Sequence, residues 1–347
     1  MTDEQRALQS TVREFLEDRF PLSAVRAVYD DEQGDGDPAE LWKSIGEQGW
    51  LAVLVPEEHE GLGLGLLDAA VLARCWGEGC VPGPFLPTLV AAEAIRLGGS
   101  PEQQAEWLPR VAAGEVKLTF AGDGRVSAAE SRLTGTATHV EYAHVADRIV
   151  VAADAGSLWL VDPQAPGVTV TVRDTLDRST RLCTVDLTNV DAEALPKPVL
   201  PEVNDRAAVL AANDLAGVAR LAFSKTVDYD KTREQFGKPV GSFQAIKHAL
   251  ADLHVAITMA EHAGWYAAHA LDADLPDAAL AVSVAKSKAS DTAHDATAAM
   301  IQFHGGIGYT WEHDAHLFFK RAKRLEYQYG DAATHRERIA RLVVDGR

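Results

Sequence analysis

Two segments of the sequence combine residue types that could bind a charged ligand. The first runs from Arg233 to Gln244 (REQFGKPVGSFQ) and lies between two stretches with a helical pattern. An arginine, a glycine loop and a glutamine on the first turn of a helix could hold a pyrophosphate through the guanidinium and free backbone amides, with the glutamine amide reading a base. The same residues could instead form a plain connection in which Arg233 caps the carbonyls of the preceding helix.

The second segment is a glycine cluster, Gln302 to Thr310 (QFHGGIGYT), at the end of a long helical stretch. Gly305 and Gly306 would allow the backbone to approach a ligand closely, but paired glycines also simply end a helix. The cluster lacks the preceding strand and the following helix that a Rossmann-type nucleotide site requires. Alone, it does not distinguish a binding loop from a helix end.

The elements that position these segments are read from the hydrophobic pattern. Up to about residue 118, apolar residues recur at helical spacings, as at Leu8, Val12 and Leu16, and from there to about residue 200 β-branched residues alternate with polar ones. Helical patterns return over 206–232, 242–272, 275–303 and 332–344. We therefore predict an α+β, mainly α protein with an N-terminal helical domain (1–118), a central small β-sheet or barrel domain (119–200) and a C-terminal four-helix bundle (201–347).

Charge and composition exclude several classes of function. The 347 residues include 33 basic and 51 acidic side chains, a formal net charge of −18. Such a surface would repel the phosphates of nucleic acids, so we expect no nucleic-acid partner. The three cysteines lack metal-ligand spacing, which indicates a reducing compartment and predicts no metal site. The charged N-terminus and the lack of a long uncharged apolar stretch predict a cytoplasmic protein without membrane association.

In this order and separation, the two segments resemble the acyl-CoA dehydrogenase family. That family has the pattern R-x-x-F-G-x-x-(I/V)-x-x-x-Q after one bundle helix, and Q-x-x-G-G-x-G-(Y/F) follows further along the chain. The stretch LWKSIGEQGWLAVLVPEEHEGLGLG is similar to the family's N-terminal helix, GW turn and PE…G loop. The helical–β–helical order also matches, so the resemblance covers essentially the whole chain and implies the acyl-CoA dehydrogenase fold.

The resemblance implies an FAD site at a subunit interface. Carried over, Arg233 would bind the pyrophosphate, Phe236 would pack near the adenosine end and Gln244 would approach the adenine. Gln302, Gly305 and Gly306 would complete this binding surface. In the family, these groups serve an FAD that is held mostly by a neighbouring subunit.

The family's general base is not found in this sequence. The resemblance places Tyr329 where the family has the glutamate of a YEGT sequence, and a phenol with a pKa near 10 is a poor base at neutral pH. Some relatives carry the base on the preceding long helix instead, and Ala207 occupies that position. The catalytic residue of this chain is therefore unassigned.

Nearby carboxylates could substitute for the missing base. Asp214 falls on an apolar helical face, where burial could raise its pKa, or it could be a polar residue paired within the bundle or between subunits. Glu326 and Asp331 flank the Tyr329 position, and we expect them to lie on solvated turns.

A second departure lies in the β domain. The family has a TEPGAGSD loop and a W-I-T-N strand that embrace the flavin ring and the thioester. Here the chain passes from Phe120 through Gly122 and Asp123 directly into a shortened sheet, and the tryptophan and threonine are not at the flavin positions. The sequence thus keeps the half-site that serves a neighbour and lacks the half-site that would serve itself.

This asymmetry predicts the small subunit of a heteromeric acyl-CoA dehydrogenase, similar to the heterotetramers of actinobacteria. A homologous partner subunit would supply the catalytic glutamate, the holoenzyme would desaturate an acyl-CoA, with a bulky steroid side-chain thioester as one candidate, and an electron-transferring flavoprotein would take the electrons. Two alternatives remain: a self-sufficient flavoenzyme of the same fold, such as an oxidase or monooxygenase, and a scaffold subunit. The intact Arg233, Gln244 and Gln302 argue against a scaffold.

Overall fold

The computed structural model describes residues 1–344. Within this range the chain forms eleven α-helices and ten β-strands. The helices are α1 (Asp3–Arg19), α2 (Leu22–Asp30), α3 (Ala39–Glu47), α4 (Leu66–Gly79), α5 (Phe85–Gly98), α6 (Pro101–Ala112), α7 (Leu200–Thr232), α8 (Gln244–Asp272), α9 (Ala278–Phe303), α10 (Ala315–Tyr327) and α11 (Ala332–Val344). The strands are β1 (Leu118–Ala121), β2 (Asp123–Ala129), β3 (Arg132–Glu141), β4 (Arg148–Ala152), β5 (Leu158–Val161), β6 (Val168–Arg173), β7 (Leu182–Asp191), β8 (Glu193–Ala194), β9 (Glu234–Gln235) and β10 (Lys238–Pro239).

The described chain divides into two compact units. The first comprises Met1–Val25, Leu66–Val81 and the chain from Ala208 onward, and the second comprises Arg26–Gly65 and Pro82–Ala207. The helices before the β region are therefore shared between the units, because α1 and α4 belong with the C-terminal helices. Secondary structure changes from helix to strand at Leu118 and back to helix at Leu200.

The central β region forms two four-stranded sheets with strand orders β1-β4-β5-β8 and β2-β3-β7-β6. Alternate residues of the strands, among them Leu133, Val151 and Val185, are buried in a shared apolar core. The predicted small sheet is thus present. It is not purely antiparallel, because β1 pairs with β4 in parallel from Leu118 opposite Arg148.

The C-terminal helices form the first unit's core, in which α9 contacts α8, α10 and α11. Ala285, Ala289, Ala293 and Ala296 form a fully buried stripe of small side chains along α9, which allows neighbouring helices to approach closely. The long predicted stretches correspond to α7, α8, α9 and α11, whereas α10 was not predicted.

Helix α7 is long and apolar enough to cross a membrane, with a mean hydropathy of 1.2 in an 18-residue window. However, 78% of that window is buried inside the protein. A core helix has the same composition, because it is apolar on every side that packs against a neighbour.

Candidate functional site

A tight hairpin between α7 and α8 presents an aromatic ring at the surface. Strands β9 and β10 pair with Gln235 opposite Lys238, which leaves Phe236 and Gly237 as a two-residue turn. Both turn residues have positive φ, 55° at Phe236 and 75° at Gly237, as a type I′ turn requires. A left-handed conformation costs a side-chain-bearing residue about 1–2 kcal/mol. The Phe236 ring is nevertheless 91% exposed, so its burial within this chain does not offset that cost.

Arg233 offers a free guanidinium beside the hairpin. Its backbone is fixed at both ends, since its N–H donates to the Tyr229 carbonyl at 2.8 Å and its carbonyl accepts from the Val240 N–H at 2.8 Å. Its exposed side chain makes no hydrogen bond or ion pair with the other described residues. The Arg233 backbone N–H thus caps a carbonyl of α7, as the plain-connection interpretation expects, while its guanidinium remains available to an anion.

The glycine cluster follows the last turn of α9. Gly305 has a φ of 64°, which favours glycine, but Gly306 does not have a left-handed backbone. A Cβ atom on either glycine would meet nothing within 4 Å among the described residues. Neither backbone conformation nor packing in this chain thus explains Gly306, whereas the close approach of another molecule would.

A stacked pair of rings joins the hairpin to the glycine cluster. The Tyr229 ring, one turn before Arg233, stacks on His304 with centroids 4.3 Å apart. The His304 Nδ1 atom lies 2.7 Å from the Met300 carbonyl oxygen, and burial lowers the pKa of His304 and so favours the neutral ring. The end of α7 and the end of α9 therefore lie together, with Arg233 and Gly305 at the same end of the bundle.

We use the word cradle for the six residues predicted to bind FAD: Arg233, Phe236, Gln244, Gln302, Gly305 and Gly306. All six are exposed. They offer a guanidinium for a pyrophosphate, a ring and two amide side chains for an adenosine, and a bare backbone for close approach. The residues present therefore fit the ADP half of FAD. None of the described residues shields this exposed surface from solvent.

A buried ionisable group lies beside the segment that joins the hairpin to α8. Asp230 is only 1% exposed, and both its carboxylate oxygens lack a hydrogen-bond partner among the described residues. The joining segment packs directly on its backbone, because a Cβ atom on Gly241 would lie 2.9 Å from the Asp230 carbonyl oxygen. Burial raises the pKa of Asp230 to about 6. Asp230 was not predicted as a site residue, because its only signal in the sequence is an acidic side chain directly after Tyr229.

Neither predicted position of the family base carries a proton acceptor of the expected kind. Tyr329 lies in the turn between α10 and α11 with a φ of 56°, and its carbonyl oxygen lies 3.0 Å from His335 Nε2. Ala207 is fully buried on α7, and its methyl group accepts no proton.

Asp214 forms a buried ion pair and does not fit the role of a base. Its Oδ1 and Oδ2 atoms accept from Arg321 Nε at 3.0 Å and Nη2 at 2.6 Å, and Arg321 Nη1 donates to the Val81 carbonyl at 3.0 Å. Both side chains are almost completely buried. A carboxylate held in a two-point pair with arginine is stabilised in its charged form. Of the two predicted alternatives, the structure supports the paired polar residue.

Of the two carboxylates beside Tyr329, Glu326 lies on α10 rather than on a turn, whereas Asp331 lies in the turn before α11, as expected. Glu326 pairs with Lys323 at 2.8 Å. Asp331 Oδ1 accepts from the Thr334 N–H at 2.8 Å at the start of α11, and hydrogen bonds to Thr334 lower the pKa of Asp331. The lowered pKa makes Asp331 a weaker base than an ordinary carboxylate, which does not suit a general base at neutral pH.

A buried lysine that the sequence analysis missed holds the Tyr329 turn in place. Lys286 is fully buried on α9, and its Nζ donates to the carbonyls of Glu326 at 3.0 Å and Gly330 at 2.8 Å. A third hydrogen bond reaches Ser290 Oγ at 3.2 Å. Burial lowers the pKa of Lys286 to about 8. A lysine inside the alanine-rich stretch AVSVAKSKAS was the available signal.

The β region has no room for a flavin-binding loop after its first strand. Strand β1 ends at Ala121 and β2 begins at Asp123, so Gly122 alone joins them. A Cβ atom on Gly122 would lie 2.6 Å from the Phe120 ring. The turn is therefore too tight to carry the loop that the family resemblance leads one to expect there.

Comparison with known proteins places the chain in a family. The N-terminal domain model of acyl-CoA dehydrogenases matches residues 2–115, and the C-terminal domain model matches residues 203–344. Acyl-CoA dehydrogenase IpdE2 of Mycobacterium tuberculosis is 36% identical over 323 residues, which cover 92% of the chain and 91% of IpdE2. The chain belongs to the acyl-CoA dehydrogenase family.

Relatives within this family differ in length and assembly. Acyl-CoA dehydrogenase FadE34 of M. tuberculosis is 33% identical over 100% of the chain, but the match spans 49% of FadE34. A variant of the Tcur3481-Tcur3483 steroid ACAD has a TM-score of 0.92 with 32% identity, covering 99% of this chain and 98% of that chain. The ChsE4-ChsE5 complex from M. tuberculosis gives 0.92 with 27% identity and the same coverage.

Solved acyl-CoA dehydrogenases thus confirm the predicted fold class. A glutaryl-CoA dehydrogenase from Mycobacterium smegmatis, solved in complex with FADH2, has a TM-score of 0.87 at 22% identity and covers 99% of this chain and 95% of that chain. At that identity the likeness concerns the fold alone. FAD is the cofactor that relatives of this family bind.

Proposed function

We propose that this acyl-CoA dehydrogenase family member is a subunit of a heteromeric, FAD-dependent enzyme and contributes the cradle to an FAD held mainly by a partner subunit. The observation that carries the proposal is the contrast between two sites. The cradle is exposed and its guanidinium is unpaired, whereas Tyr329 and Ala207 occupy the positions of the family base. A homologous partner would supply the glutamate.

The cradle residues of this chain would bind and orient the cofactor. Arg233 would neutralise the pyrophosphate, and the Gln244 and Gln302 amides would hydrogen-bond to the adenosine half. The exposed Phe236 ring would pack against the same half. When bound, FAD supplies the acceptor for the hydride from the acyl β-carbon. This local positive charge is needed because the chain as a whole carries −18.

Exposed apolar side chains beside the cradle support coverage by another subunit. Ile307, Tyr309 and Trp311 follow the glycine cluster and are 47%, 81% and 64% exposed. On α8, Val255 and Met259 lie one helical turn apart and are also more than half exposed. Large apolar side chains left exposed in this number are typical of protein–protein contact sites.

The relatives support a heteromeric assembly. The ChsE4-ChsE5 complex and the Tcur3481-Tcur3483 steroid ACAD each pair two named components. FadE34 extends beyond the matched region by about as many residues as this chain contains, which is enough for a second unit of the same size. We accordingly propose α,β-desaturation of an acyl-CoA, with a bulky steroid side-chain thioester as substrate class and an electron-transferring flavoprotein as electron acceptor.

Neither alternative function has a specific observation in its favour. A self-sufficient oxidase or monooxygenase could have used Asp214, but the Arg321 ion pair engages that carboxylate. A scaffold subunit would not need an unpaired Arg233 or the bare backbone at Gly306.

The experiment is FAD retention by the complex. The chain is co-purified with a homologous acyl-CoA dehydrogenase that carries the family glutamate, and bound FAD is measured after gel filtration. Arg233→Ala should weaken FAD binding about 10- to 100-fold, the worth of a hydrogen bond to a charged group. The control Arg341→Ala removes an exposed arginine that pairs with Glu337 on the same helix, and it should leave FAD retention unchanged. Unchanged FAD retention in Arg233→Ala would instead favour the scaffold.

A further inference from the structure

A cavity of about 580 Å³ lies among α1, α4 and α7 in the first unit, at the level of Arg220 to Lys225 on α7. Its volume is in the range of small-molecule binding sites, about 300–1,000 Å³. We use the name α1–α7 cavity for this space. Its walls combine apolar side chains with cations and two acidic side chains. The apolar group includes Leu16, Phe20 and Leu221; the cations are Arg13, Arg220 and Lys225; the acids are Glu17 and Glu78.

One wall of the α1–α7 cavity is an ion-pair network with more arginines than carboxylates. Arg13 holds Glu78 at two points, 2.5 and 2.6 Å, and Glu78 also pairs with Arg74 at 3.2 Å. Arg74 continues to Glu261 at 2.6 Å, and Glu261 accepts from Arg220 at 2.7 and 2.8 Å. Three guanidinium groups thus share two carboxylates, which leaves one positive charge uncompensated in a largely buried cluster.

Lys225 adds a second uncompensated charge. It is half-buried, lines the cavity, and makes no hydrogen bond or ion pair with the other described residues. Glu17, on the exposed side of α1, offsets one of the two charges. The lining therefore keeps a net charge of about +1 in a protein whose total charge is −18.

The remaining wall is apolar. Leu16 and Phe20, one turn apart on and just after α1, are 5% and 9% exposed, and Leu221 faces the same space from α7. From this juxtaposition of an apolar wall and uncompensated cations, we propose that the α1–α7 cavity binds an amphipathic monocarboxylate, with its carboxylate at Lys225 and Arg220 and its apolar body against Leu16, Phe20 and Leu221. The FAD cradle takes no part in this binding.

Lys225 also provides an internal reporter. Its positive charge lowers the pKa of His304, in addition to the lowering by burial. A carboxylate bound at Lys225 offsets that charge and raises the pKa of His304. A ligand bound far from both Lys225 and His304 would leave this pKa unchanged.

The test uses decanoate as the probe, with decanamide and decyltrimethylammonium as neutral and cationic analogues, in calorimetric titrations of the full chain. Decanoate should bind at least about tenfold more tightly than either analogue, as expected for loss of a charge-assisted contact. Lys225→Gln should remove that preference, and the control Lys231→Gln, on the same helix but paired with Asp228, should retain it. Ser224→Trp, which fills the cavity, should abolish binding of all three probes. Thermal unfolding checks that each variant is folded.

The second measurement follows the His304 ring by NMR titration, with the signal assigned through His304→Gln. Saturating decanoate should raise its pKa in the natural chain and in Lys231→Gln, but not in Lys225→Gln. Equal affinity for decanoate and decanamide, or decanoate binding that survives both Lys225→Gln and Ser224→Trp, would overturn the proposal. Failure of decanoate to bind the full chain would also overturn the proposal. Failure to bind the complex would overturn it as well, because a segment of the partner would then occupy the α1–α7 cavity.

Discussion

Asp214 and Lys286 are both fully buried and charged, but their surroundings differ. Asp214 faces the opposite charge of Arg321, whereas Lys286 faces two carbonyl oxygens and a hydroxyl. An ion pair of good geometry compensates the burial of both its members, while neutral acceptors compensate an ammonium only in part. The two residues should therefore respond differently to mutation and to pH.

Asp214→Asn should lower the free energy of unfolding by about 3–5 kcal/mol, because it leaves the Arg321 guanidinium buried without a counter-charge. Urea unfolding at neutral pH measures the change. The double variant Asp214→Leu/Arg321→Met removes both charges and should recover most of the loss. If Asp214 were a catalytic base instead, Asp214→Asn would unfold normally and lose only desaturase activity.

Lys286 should make stability rise with pH in the alkaline range. Its pKa falls from an ordinary 10.5 to about 8 in the folded state. Below pH 8 the lysine is charged in both states and its burial is unfavourable. Between these pKa values the folded lysine is neutral while the unfolded lysine still binds a proton, so the free energy of unfolding increases, by about 3 kcal/mol over the window. The free energy of unfolding is measured at each pH for the natural chain and for Lys286→Met. A difference between the two that stays constant from pH 8 to 10.5 would contradict the prediction.

At the scale of elements, the β9–β10 hairpin exposes the Phe236 ring at the cost of a strained backbone. Phe236 adopts a left-handed backbone that glycine would adopt without strain, and its ring is exposed. Strained backbone of this kind clusters at functional sites. Removal of the ring should therefore stabilise the hairpin and weaken its contact with FAD.

Phe236→Gly should raise the free energy of unfolding by about 1 kcal/mol and weaken FAD binding by the complex. The matched control is Glu130→Gly, which relieves a φ of 56° at the β2–β3 turn of the second unit. The control should gain similar stability and keep its FAD. Stability and FAD affinity that rose together in Phe236→Gly would show that the ring makes no contact with the cofactor.

What the sequence could predict depends on the distance over which each interaction acts. Helices α7, α8, α9 and α11 follow from local hydrophobic pattern, and the cradle follows from two short motifs at helix ends. Helix α10 was not predicted because its sequence is rich in charged residues, which suggests a solvated segment. Arg321 is nevertheless buried against Asp214, which lies 107 residues earlier in the chain. The hydrogen bond between Lys286 and the Gly330 carbonyl spans 44 residues, so the local sequence pattern could not predict it either.

At the scale of the whole molecule, residues 1–344 carry the proposed cradle but no carboxylate at either predicted position of the family base. The turn at Gly122 leaves no space for a flavin loop, and the carboxylates near Tyr329 are engaged in ion pairing or capping. Under the proposed function, desaturation therefore requires a partner subunit that supplies the base and the flavin-ring contacts.

The most direct measurement is formation of 2-enoyl-CoA per bound FAD, by the chain alone and by its complex with the homologous acyl-CoA dehydrogenase. We expect no turnover by the chain alone and turnover by the complex. Replacing the partner's YEGT glutamate with glutamine should abolish turnover while FAD stays bound. Stoichiometric FAD and desaturation by the chain alone would contradict the account.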